Sequence, residues 1–305
     1  MLNCITKKNL YIFLNKHIEM KKIQSVLLLI SISYISCFAQ INIPVGTQSQ
    51  LNKFLNSKTY VVLKNDRMSE YNFAIKEAIE KHWTLTDYEF VYESDFKNLQ
   101  KDPNKSFIMI NQVYFEKDKT QTLFDFIIVT LGGKHRNADE MPTLCAIPLC
   151  YKGALESDYD YKIPAMIKHI ENHISTCKNN PSLNQENIAD YYMQKSGSLK
   201  TKTFYLLKEE VEPEVRTKNS FASTYPYNFD YTTQENIKKI INNNTKDAVI
   251  LHLICPKLNN TLSYCIKIIL DTENGLIFYW DQHKLSKKNG DYLLKSDLKK
   301  LAKKE

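Results

Sequence analysis

Apolar and polar positions along the chain fall into a series of short runs that occurs twice in the same order. Lys58 to Asp66 reads KTYVVLKND, and Lys202 to Glu210 reads KTFYLLKEE. Both open on Lys-Thr, continue with an aromatic residue and apolar residues, and place a lysine at Lys64 and Lys208. Runs of β-branched and aromatic residues of this kind predict strands. From Ser69 the apolar period changes to that of a helix, with Phe73, Ile75, Ala78, Ile79 and His82-Trp83 on the inward face. YEFVY at Tyr88 predicts a second strand, and Ser94-Asp95 caps a short helix carrying Phe96 and Leu99. Three strands follow, over Ser106 to Phe115, Leu123 to Leu131 and Thr143 to Tyr151. A helix from Tyr161 to Cys177 turns Ile163, Ile167, Ile170, Ile174 and Cys177 inward.

The second series repeats each step. YNFDY at Tyr227 matches YEFVY, Ile237, Ile240 and Ile241 match the short helix, and KDAVILH at Lys246 matches KSFIMIN at Lys105. YCIKIIL at Tyr264 matches FDFIIVT at Phe124, Asn274-Gly275 makes a tight turn into LIFYW, and an amphipathic helix spans Asp291 to Lys304. The first helix of this copy is shortened and contains Pro213. The offset between copies stays between 139 and 144 residues, which a single deletion of about five residues in that helix explains. Chance supplies one such match easily, but not an ordered series. The predicted fold is therefore α/β in two diverged repeats, each β-α-β-α-β-β-β-α, with a mixed sheet and helices against it. Right-handed crossovers are expected to set the two early helices of a repeat on one face.

The repeats occupy residues 58–178 and 201–305, joined by a polar linker at 179–200 with a turn of helix around Ile188 to Met193. Residues 40–57 form a polar leader. Before it, MKKIQSVLLLISISYISCFAQ begins at Met20 with a basic start, an apolar stretch and small residues ahead of Gln40, the pattern of a cleaved secretory signal. Residues 1–39 are thus an upstream extension plus signal peptide, and the protein is exported to the periplasm or cell surface. The apolar stretch is shorter than the ~20 residues of a membrane-spanning helix. Lipidation at Cys37 would instead make an outer-membrane lipoprotein. Tyr34, standing where a Leu-like residue is preferred, favours simple cleavage after Ala39.

Charge sharpens this picture. Of the formal +7, residues 1–39 carry +4 and residues 284–305 carry +5, leaving −2 for the body between them. A body with no basic run is not that of a nucleic-acid binder. With seven glycines in the chain, and neither a P-loop nor GxGxxG, phosphate-cradling loops are excluded and no cofactor is expected. No GxSxG elbow occurs either. Downstream of the leader five cysteines remain, an odd number. Cys255 and Cys265 lie on neighbouring predicted strands and can face each other, as can Cys145 or Cys150 with Cys177.

Two groups of residues could carry chemistry. His169, His173 and Cys177 recur every four residues on one helix and offer the imidazole and thiolate donors that suit Zn²⁺. Cys177 belongs to the apolar stripe, however, and His169 falls toward its flank. The run HIENH lacks the base of HExxH, so an amphipathic helix with flank histidines is the favoured reading. The loop GGKHRNADE, Gly132 to Glu140, collects His135, Asp139 and Glu140 at a strand end, where α/β proteins often bind ligands. The second copy has only DTENG there. A hydrolase or metal-dependent enzyme would place its site on this loop. The C-terminal helix carries Lys295, Lys299, Lys300, Lys303 and Lys304 opposite its leucines, a face that could touch an anionic membrane surface.

The leader and the stretch IKEAIEKHWTLTDYEFV at Ile75 to Val91 resemble a group of exported envelope proteins of Bacteroidetes-type bacteria, a group with no assigned activity. The strand and helix order is also similar to small α/β envelope modules such as the amino-terminal domain of the Tol-system propeller protein. These resemblances imply an envelope location. The expected function is a non-enzymatic binding or scaffold role, with another envelope protein or a surface glycan as partner.

Overall fold

The computed structural model describes residues 43–115, 118–257 and 263–303. The stretch expected to be an export signal, with Met20, Cys37 and the expected cleavage position, lies outside the described residues, as does Lys304. The first repeat contains β1 (Lys58–Leu63), α2 (Glu70–His82), β2 (Tyr88–Tyr92), α3 (Glu93–Leu99), β3 (Lys105–Tyr114), β4 (Leu123–Leu131), β5 (Thr143–Tyr151) and α4 (Ile163–Asn179). It is preceded by α1 (Gln48–Leu55), and α5 (Ile188–Lys195) lies in the connector. The second repeat contains β6 (Thr203–Leu206), α6 (Lys218–Thr224), β7 (Phe229–Tyr231), α7 (Gln234–Asn242), β8 (Ala248–Ile254), β9 (Tyr264–Asp271), β10 (Ile277–Lys284) and α8 (Lys295–Lys303). Its strand order, β7-β6-β8-β9-β10, reproduces β2-β1-β3-β4-β5 of the first. In each sheet the first strand is parallel to both neighbours and the last three form an antiparallel meander. The fold is thus two mixed five-stranded sheets with helices against them.

The leader is helical rather than irregular. Thr47 and Gln50 form a reciprocal capping box, and Leu51 and Phe54 are buried one turn apart. In α2 the buried face is Tyr71, Ile75, Ala78 and Ile79, while Phe73 is 56% exposed. Two residues from Tyr71 is about 200° around a helix, so both rings cannot face the sheet. Ser69 precedes α2 without capping it. Instead the Glu156 carboxylate accepts from Ser69 Oγ at 2.8 Å and the Tyr71 amide at 3.1 Å, and pairs with Lys64 Nζ at 2.6 Å.

The early helices do not share a face. Because β2 and β3 lie on opposite sides of β1, right-handed connections carry α2 and α3 to opposite faces. Phe96 and Leu99 of α3 pack with Val62, Val91, Phe107, Met109 and Ile128. Strand alternation turns Val61, Leu63, Ile108, Ile127 and Val129 the other way, and all are buried. On that side α4 packs on α2 and β5. The second repeat builds its main core from Phe204, Leu206, Val249, Leu251 and Ile269 with Phe221 of α6 and Leu298 and Leu301 of α8. The face of β8 away from that core, carrying Ile250 and His252, meets the first repeat. His252 Nε2 donates to the Pro148 carbonyl of β5 at 3.0 Å, and α4 reaches α7 and β9.

Polar tethers also cross this seam. Lys162 Nζ, 1% exposed, pairs with Glu210 at 3.0 Å. Lys168 Nζ donates to the carbonyls of Ile241 (2.9 Å) and Thr272 (2.6 Å) and to Asn244 Oδ1 (2.5 Å). A disulfide joins Cys255 to Cys265 across β8 and β9, one position past the Ile254–Ile266 pair. Cys145, Cys150 and Cys177 are free and buried, so the alternative pairing of Cys177 is not made. The C-terminal helix starts at Lys295, four residues later than its pattern predicts, because Leu293 is held extended beside Val211.

Candidate functional site

Two places bring chemistry together, both on α4. Pro164 in its first turn suits a helix start, and the helix buries residues nearly all round: Ile167, Ile170 and Ile174, but also Lys168, His169 and His173. The reason is position, since α4 lies between its own sheet and the second repeat. The helix is amphipathic as expected, but the histidines placed on its flank are fully buried.

The outer, polar side of α4 forms the floor of a cleft of about 520 Å³. Glu171, Asn172, Ser175 and Asn179 line it from the first repeat, and Asn244, Glu273 and Asn274 from the second. His82 lines it too, with its Nε2 buried and without a hydrogen-bond partner among the described residues. Burial, helped by Lys168 and Lys81, pushes the His82 pKa down to about 4, so its imidazole is neutral. Burial and Lys81 also lower Lys168, to about 8. Glu171 is raised by burial, although its carboxylate accepts from the amide and hydroxyl of Thr84. The cleft thus offers amides, hydroxyls and carboxylates from both repeats.

The inner side of α4 holds a buried cluster. His169 Nδ1 donates to the Gly275 carbonyl at 3.0 Å; His173 Nε2 donates to the Pro44 carbonyl at 2.9 Å, leaving Nδ1 to accept from Tyr192 of α5 at 2.7 Å. Cys177 Sγ lies 3.6 Å from His173 Nε2. The cysteine that joins the two imidazoles is Cys145 of β5: its Sγ and one ring nitrogen from each lie within 4.8 Å of one another. Spacing along one helix points to Cys177; only strand β5 lying against α4 brings in Cys145. Burial pushes His169 down to about 3 and His173 to about 4, the Cys177 thiol up to about 11, and the Cys145 thiol well above its usual value. Every member is neutral near pH 7.

The loop from Gly132 to Glu140 is built differently. Its end is a single turn in which Asn137 Oδ1 accepts from the Glu140 amide and Glu140 accepts from the Arg136 amide. Glu140 is exposed, His135 is half-buried against Gly133, and Asp139's side chain lies outside the described atoms. None of these residues lines the seam cleft. Of the C-terminal lysines, Lys300 pairs with Asp281 at 2.7 Å and Lys295 with Glu214 at 3.8 Å, while Lys299 and Lys303 are exposed. A further cavity of about 340 Å³ opens between the repeats at Cys150, Tyr159, Glu210 and Cys255. Among the described residues no helix is long and apolar enough to cross a membrane. No protein family, curated protein or solved structure matches the chain.

Proposed function

We propose that this is an exported, non-enzymatic binding or scaffold component of the bacterial envelope that holds a polar ligand in the seam cleft. The carrying observation is the cleft itself: about 520 Å³ of concave surface, lined by hydrogen-bonding side chains of both repeats. It lies where the two copies meet and where neither copy alone could form it. Such a lining matches the hydroxyls of a surface glycan or the backbone of a hydrophilic segment of another envelope protein. The Cys255–Cys265 disulfide supports an oxidising compartment outside the cytoplasm.

The test begins with the protein recovered from cells at near-native expression. A mature mass that retains residues 1–39 rejects export. Envelope extract and a panel of surface glycans are then presented to the wild type and to Ser175→Trp, which fills the cleft floor. Specific capture by the wild type that Ser175→Trp abolishes, with unchanged thermal unfolding, is the expected result. Capture that is equal in the two proteins refutes the cleft as the site.

A further inference from the structure

The inner face of α4 is independent of that reading. A carbonyl oxygen can only accept, so the Gly275 carbonyl fixes the proton of His169 on Nδ1 and the lone pair on Nε2. That Nε2 is buried and has no hydrogen-bond partner among the described residues. In the same way the Pro44 carbonyl fixes the proton of His173 on Nε2. Each imidazole therefore has one N–H tied to a backbone carbonyl, which is how metal-binding histidines are oriented by their surroundings. Cys145 Sγ stands across from them, fully buried, and it and one ring nitrogen of each histidine lie within 4.8 Å of one another. Donors around a tetrahedral Zn²⁺ sit ~3.5 Å apart, given bond lengths of ~2.0–2.3 Å, so the widest separation in the triangle needs to close by about 1.3 Å at most. The Tyr192 hydroxyl, which donates to His173 Nδ1 at 2.7 Å, must swing off that lone pair for an ion to take it.

We propose that Cys145, His169 and His173 bind a borderline transition-metal ion of the Zn²⁺ class in the interior of the first repeat. One thiolate and two imidazoles suit Zn²⁺ and disfavour Mg²⁺ or Ca²⁺, which take oxygen ligands. On binding, the Cys145 S–H bond breaks, the sulfur pair goes to the metal, and the proton leaves to solvent. The ion ties β5 to α4 and, through the His169 bond to Gly275, to the β9–β10 turn of the second repeat. Because the site is closed on all sides, the ion enters as the chain folds.

The mature chain is unfolded, refolded with Co²⁺ and freed of excess metal. One Co²⁺ per chain is expected, with a near-ultraviolet thiolate-to-cobalt charge-transfer band that Zn²⁺ bleaches by displacement. Cys145→Ser should lose the band and His169→Gln should weaken binding at least about tenfold. Cys150→Ser, away from the site, should keep both. The wild type also carries a readout that needs no variant: in mild denaturant, Zn²⁺ should slow alkylation of Cys145 relative to Cys150, as read by mass spectrometry. Failure of the wild type to retain stoichiometric Co²⁺ overturns the proposal. So does a band that survives Cys145→Ser, or equal alkylation of the two thiols.

Discussion

The buried pair Lys267–Asp297 offers a test of how the second repeat holds its terminal helix. Lys267 Nζ of β9 lies 2.8 Å from Asp297 Oδ2 of α8, and both side chains are 1% exposed. Asp297 also accepts from the Tyr279 hydroxyl at 3.0 Å and from the Leu294 amide at 3.0 Å, so it caps the start of α8 as well. Asp297→Ala leaves an ammonium buried without its partner, which costs about 3–5 kcal/mol. Asp281 moderates this. Burial opposes its charge, but Lys267 and Lys300 outweigh that and hold its carboxyl below the usual range, so it recovers part of the interaction with Lys267. The loss of the cap adds about 1 kcal/mol. A total near 4 kcal/mol results, which at a slope of ~2 kcal/mol per molar urea lowers the unfolding midpoint by about 2 M. The double variant Lys267→Met, Asp297→Leu removes both charges and should recover most of the loss, since a well-packed apolar pair is often as stable as a buried ionic one. Urea unfolding followed by circular dichroism measures all three proteins. A single variant within about 1 kcal/mol of wild type, or a double variant no better than the single, refutes the reasoning.

Three further outcomes follow from the same structure. Burial depresses the pKa values of His169 and His252 to about 3 and of His173 to about 4, against 6.5 unfolded, so below pH 6.5 the unfolded chain binds protons that the fold refuses. Stability should be full above pH 6.5 and fall toward pH 4 by ~1.4 kcal/mol per unit for each histidine; a melting temperature that stays flat over that window would sink this account. Replacing both Cys255 and Cys265 by alanine opens a ten-residue separation and should cost ~2–3 kcal/mol in urea unfolding, and an unchanged midpoint would show that the link adds nothing. Gly275 sits at φ +69°, and a Cβ there would overlap the His169 backbone. Gly275→Ala should therefore destabilise by ~3 kcal/mol or more, against ~1 kcal/mol for an ordinary turn glycine, as read by thermal unfolding.

Much of the fold can be read from residues alone. Strand alternation and helical period act over a few neighbours, so β1 to β5 and β6 to β10 lie where their patterns place them. The duplication supplies the order of elements twice. The missed helix α1 had a local signal, the Thr47–Gln50 capping box followed by Leu51 and Phe54. The misplaced ring of Phe73 did too, in the competing stripe begun by Tyr71.

What the sequence determined by itself is the strands, their repetition and the apolar face of most elements, because these depend on contacts within one turn or one strand pair. Tertiary structure decided everything that depends on distant segments meeting. Strand order placed α2 and α3 on opposite faces. Docking of the second repeat buried α4 on sides that its own period marks as polar, and raised the cleft at the seam. The approach of β5 brought Cys145 to the two histidines, with Cys177 still 3.6 Å from His173. No spacing along the chain encodes those meetings: Cys145 and His169 are brought together by sheet-on-helix packing, and His169 and Gly275 by one repeat resting on the other.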